Sequence, residues 1–198
     1  MKELPHYTIG DSYGGSQDWF TELRMNRGGC GAVTACDMCI YLARYMGRTR
    51  LYPFDSANIT REDFLTFGAI MRPFLSPRFK GINKTVTFMD GFRDYMVFRG
   101  DTALKMTSVE GDAPYETARQ AVRDSIDRGF PVPYLLLLHQ NKALEEFNWH
   151  WFILNGYDDG PEGFRVKAVT YGEWTWFDFA NLWDTGRPEK GGFVVCSL

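Results

Sequence analysis

The sequence predicts an α+β fold in a single domain, residues 1–198. Three observations carry this. Apolar spacing is helical in the early part of the chain and changes to strand-length runs in the final third, and helices followed by strands is the α+β order. No Gly/Ser-rich or Pro-rich linker divides the chain, so one core is expected. The composition, 44% hydrophobic with sixteen Phe and six Trp, supplies a thick aromatic interior.

Residues 1–29 carry turn signals at Gly10-Asp11, Gly14-Gly15 and Gly28-Gly29 with little periodicity. They are expected to form an extended arm, with His6 on a mobile terminus. From Cys30 to Met46, the residues Val33, Cys36, Cys39, Ile40, Leu42, Ala43 and Met46 space a helix buried over much of its circumference, and Gly47 stops it. Thr60-Arg-Glu-Asp63 caps a shorter helix that carries Phe64, Leu65, Phe67, Ile70 and Met71 and ends before Pro73. Residues 80–112 read equally as strands or short helices, because Thr85-Val-Thr-Phe88 alternates and Tyr95-Met-Val-Phe98 is too short to decide. Tyr115, Ala118, Val122 and Ile126 then fall on one face of a helix bounded by Pro114 and Gly129. Five strand-length runs follow, 133–139, 149–157, 164–170, 174–177 and 192–196.

The net charge of -3, with basic residues scattered, leaves no footprint for nucleic acid. No apolar run reaches membrane-span length and the amino terminus lacks a secretory signal, so the reading is a cytoplasmic protein without membrane or nucleic-acid partners. Oligomeric state is not encoded in any pattern here.

Three of the four cysteines, Cys30, Cys36 and Cys39, fall within ten residues. Structural zinc needs a second ligand pair beside Cys36-x-x-Cys39, and none of Cys196, His6, His139 and His150 provides one. A redox pair belongs at the turn opening a helix, not inside it. Cys36 and Cys39 are therefore small core side chains, and no metal or cofactor is expected. Cys30 stands where Gly28-Gly29 meets the helix start, where unpaired N–H groups and the helix dipole favour a thiolate. Position alone leaves it structural or nucleophilic. A nucleophile needs an imidazole. His139 ends one apolar run, while His150 opens another between Trp149 and Trp151 and suits a strand mouth facing a helix end; the plain alternative is a histidine capping a sheet edge.

Together, Cys30-Gly-Ala-x-x-Ala at a helix start, Tyr41-Leu-Ala-Arg at its end and His150-Trp-Phe-Ile-Leu-Asn-Gly-Tyr157 resemble the papain-like cysteine peptidases. The nearest branch is the bacterial one related to peptidases that process double-glycine bacteriocin leaders, whose blocks read Cys-Gly-Pro and His-Tyr-Val-Val-x-x-Gly-Tyr. The resemblance spans both ends of the chain and is silent over about 50–112. It implies a helical part bearing the nucleophile, an antiparallel sheet bearing the histidine, and a cleft between them. Carried over, Cys30 attacks a peptide or isopeptide carbonyl, His150 is the general base, and a peptide or protein is the substrate. The family's oxyanion glutamine is missing six residues before Cys30, where Arg24 stands, so Asn26 is the nearest amide, with the Cys30 N–H as second donor. The family's Asn or Asp after the histidine strand is also missing, and Thr170 in Val169-Thr-Tyr-Gly172 stands in its place. Two alternatives follow: a silent peptide-binding module on the same scaffold, or a Cys-His acyltransferase, which shares the acyl-enzyme.

Overall fold

The computed structural model describes residues 1–78 and 81–198. In chain order its elements are β1 (Lys2–Glu3), β2 (Thr8–Ile9), β3 (Ser12–Tyr13), α1 (Leu23–Gly28), α2 (Cys30–Tyr45), α3 (Arg61–Met71), α4 (Thr85–Phe98), β4 (Lys105–Glu110), α5 (Tyr115–Asp127), β5 (Val132–Leu136), β6 (His150–Gly160), β7 (Gly163–Thr170), β8 (Glu173–Asp178), α6 (Phe179–Trp183) and β9 (Gly191–Ser197), with short 3-10 turns between. The fold is α+β. Six strands form an antiparallel sheet in the order β4-β9-β5-β6-β7-β8, and β1 adds a seventh by pairing with β6.

The helix starting at Cys30 forms as its spacing predicts, and every residue from Cys30 to Ala43 is buried. Its small residues, Gly31, Ala32, Ala35, Cys36, Cys39 and Ala43, let it lie between β6 and α3. Ile40 and Leu42 are fully enclosed, each contributing roughly 1.5–3 kcal/mol of burial. The Thr60 capping box closes with Asp63, and α5 buries Ala118, Val122 and Ile126. Gly129 adopts the left-handed φ of 87° that a helix stop requires.

Two expectations are revised. The open stretch 80–112 begins at Lys80, which lies outside the described residues, and holds one helix and one strand. Thr85-Val-Thr-Phe88 and Tyr95-Met-Val-Phe98 are the two ends of α4, because Thr85, Phe88, Phe92, Tyr95 and Met96 fall on one buried face; that helical face outweighs the local alternation. The amino-terminal arm is docked rather than loose. Leu4 N donates to Asn155 O at 2.8 Å, and the His6 ring stacks between Tyr7 and Tyr13 at 4.9 and 4.8 Å. Among the described residues no helix is long and apolar enough to cross a membrane.

Candidate active site

The junction between α1 and α2 sets the nucleophile candidate. α1 ends at Gly28, α2 begins at Cys30, and Gly29 caps it with φ −84° and ψ 2°. A Cβ on Gly29 would strike the Met25 carbonyl, so only glycine permits two helices this close in sequence. Cys30 Sγ donates to the Trp149 carbonyl at 3.9 Å. Trp149 has a left-handed φ of 57°, costly for a bulky residue, and this kink turns its carbonyl toward the thiol just before β6 begins.

His150 opens β6 and Thr170 closes β7, and the two strands bring them together: His150 Nε2 lies 2.7 Å from Thr170 Oγ1. Tyr171 stacks on the imidazole with centroids 4.6 Å apart and planes 8° from parallel, and its hydroxyl lies 3.4 Å from Nδ1. Parallel rings do not approach closer than about 3.5 Å. The hydroxyl therefore meets Nδ1 from the face of the ring, which leaves the in-plane lone pair of that nitrogen directed elsewhere. Tyr171 and Gly172, with φ 53° and 77°, form the two-residue turn of the β7–β8 hairpin, and a positive φ at both central positions is the type I′ requirement. The Gly172 carbonyl accepts from Tyr13 N at 2.6 Å and Ser12 Oγ at 3.3 Å, which pins this turn to the amino-terminal arm.

Cys30, His150, Thr170 and Tyr171 line one crevice, together with Gln17, Asp37 and five other residues of α2, β6, β7 and the arm. About 10 Å³ of it admits the centre of a water molecule, room for one water at most. Cys30 and His150 are each only 4% exposed. Burial dominates their titration. It pushes the Cys30 thiol up despite the opposing N–H groups of Trp151, Gly31 and Cys30 itself, and it lowers the imidazole of His150 to about 4. In the closed crevice both groups are thus neutral at pH 7. The thiolate expected from the helix end is overridden, because desolvation of an anion exceeds what the first-turn donors return.

Asn26 is not brought to this crevice. Its side-chain amide reaches Asp18 O at 3.5 Å on the exposed side, and its backbone carbonyl accepts from Gln17 Nε2 at 3.0 Å. The side-chain amide that does line the crevice is that of Gln17. Its Oε1 is buried without a partner, and its amide nitrogen has a second N–H to give. Gln17 is the only glutamine ahead of Cys30, a signal present in the sequence, but a search at a fixed six-residue spacing passes over it. What delivers it is Asp37, two turns along α2 from Cys30. Its wholly buried carboxyl accepts from Tyr7 Oη and, at 3.2 Å, from Gly15 N. Burial raises that carboxyl to about 7, against the lowering effect of both bonds.

The remaining candidates are structural. His139 Nδ1 accepts from Asn141 N and Nε2 lies on Asn181 O, both at 2.8 Å, so its ring is consumed in ordering a loop. Cys36 and Cys39 are buried free thiols held well above the usual range by desolvation. Comparison with protein families, curated sequences and solved structures returns no match to this chain.

Proposed function

We propose that the protein is a papain-like cysteine hydrolase that cleaves a peptide or isopeptide bond through Cys30 and His150. One observation carries the reading: a thiol at the first residue of a buried helix and an imidazole oriented through its far nitrogen share one crevice with a side-chain amide, although 120 residues separate the first two. In this reading Nδ1 takes the thiol proton as Sγ attacks the carbonyl carbon. The developing oxyanion accepts from Gln17 Nε2–H and the Cys30 N–H, so the role sought for Asn26 passes to Gln17. Nδ1–H then protonates the departing amine, and water hydrolyses the thioester with His150 again as base. Thr170 acts as a positioning residue. Its hydroxyl accepts from Nε2–H and fixes the tautomer, while giving an imidazolium less stabilisation than a carboxylate would.

Because both groups are neutral and enclosed, attack requires opening of the crevice, after which rehydration raises the basicity of the imidazole. The closed state and the absent carboxylate favour one second reading, a silent peptide-binding module. Alkylation separates them. Iodoacetamide or a peptidyl electrophile modifies Cys30 of the folded protein, and His150→Ala slows that reaction at least tenfold, if the pair is catalytic. Equal labelling of wild type and variant establishes the silent module. Gln17→Ala leaves alkylation by iodoacetamide in place but lowers kcat for peptide hydrolysis by about 10²–10³.

A further inference from the structure

The crevice is too small for any side chain of a substrate, so residues beyond it must receive the chain being cut. A hollow of about 420 Å³ lies next to it and shares two lining residues, Thr170 and Tyr171, within the size range of ligand pockets. The other large hollows, beside Gly28 and beside Lys190, share none. Thr170 and Tyr171 thus border both the catalytic groups and the hollow.

The chemistry of the hollow is specific. Its floor is apolar, made by Ala168 and by Phe147, which packs edge-on against Phe177 at 5.2 Å. Its rim carries two exposed carboxylates, Glu146 and Glu173. Among the described residues neither carboxylate takes part in an ion pair. Alternation along β7 puts its cations on the opposite face from Ala168 and Thr170: Lys167 is paired with Glu3 at 2.6 Å and lies over Tyr13 and Trp174, and Arg165 lies over Trp176. The hollow therefore has apolar residues at its base and two carboxylates at its mouth, and the one β7 ammonium that touches its lining, Lys167 over Trp174, already has its counter-charge in Glu3. An unbranched side chain with an apolar stem and a cationic head matches both features at once.

We propose that this hollow receives a lysine or arginine side chain of the peptide substrate and so sets cleavage specificity, a proposal that rests on the Cys30–His150 reading. The test is cleavage of a proteome-derived peptide library, with sites read by mass spectrometry. Wild type is expected to cut at one fixed distance from Lys or Arg. Glu146→Gln with Glu173→Gln is expected to lower kcat/KM at those sites at least tenfold, and Glu146→Lys with Glu173→Lys to move the preference to acidic residues at the same position. Retention of the basic preference by both double variants overturns the proposal, as does wild-type cleavage with no basic preference. A wild type that cuts nothing in a library rich in Lys and Arg while its Cys30 is alkylated in a His150-dependent way also overturns it. Loss of that alkylation behaviour would instead overturn the catalytic pair itself, so the two failures are distinct.

Discussion

Replacing Asp37 by Asn should stabilise the protein at alkaline pH and do little in acid. Both protein bonds to the carboxyl, from Tyr7 Oη and Gly15 N, end on Oδ1, and asparagine keeps that acceptor. What changes is the ability to ionise. The carboxyl titrates near 7 in the fold against 3.8 in the open chain. A raised folded value means that its stabilising contribution is complete below 3.8 and is lost as pH rises through 7. At 1.36 kcal/mol per tenfold, the whole difference is roughly 4 kcal/mol, of which about 3 kcal/mol falls between pH 5 and pH 9. Urea denaturation of both proteins at those two pH values measures it. The advantage of Asp37→Asn should grow by about 3 kcal/mol between them, or roughly 6–12 °C in Tm for a chain of this size. If the two proteins differ by the same amount at pH 5 and pH 9, the carboxyl is not neutral in the fold, and the account of its titration by burial fails.

Two further outcomes follow from the same geometry. Thr170→Val removes the oxygen that faces His150 Nε2 while conserving volume, so peptide hydrolysis should lose about fivefold in kcat, equivalent to one hydrogen bond of roughly 1 kcal/mol, with KM unchanged; an unaltered kcat would remove Thr170 from the mechanism. The imidazoles of His150 and His6 are lowered from 6.5 to about 4 and about 3, chiefly by burial. The stability these contribute is present above pH 6.5 and lost as pH falls through those values, opposite in sign to Asp37. Their ring carbon resonances should stay unchanged from pH 7.5 to pH 5, and titration of either near 6.5 would contradict its burial.

Much of this was legible from pattern. The α2 and α5 helices, the Thr60 cap and the five carboxyl-terminal strand runs follow from spacing and end signals, since burial repeats at 3.6 or at 2 leave their period in the chain. The α4 helix was hidden because its buried face is aromatic and β-branched, composition that strands share. The arm's order leaves no mark in the sequence, because short strands have no period to read; it is ordered by what it meets, Asn155, Gly172 and Asp37. Closeness in sequence points to Asn26, yet Gln17 reaches the crevice because a turn folds the arm back over the helix start.

Local chemistry determined which residues could matter: a cysteine after paired glycines at a helix start, and a histidine at the mouth of a strand, both follow from backbone rules that act over a few residues. Whether those two groups carry charge was decided only by the tertiary structure. A helix dipole is a local property, but desolvation depends on everything that surrounds an atom. Here β6, the Tyr171 turn and the amino-terminal arm close over Cys30 and His150 together and hold both neutral.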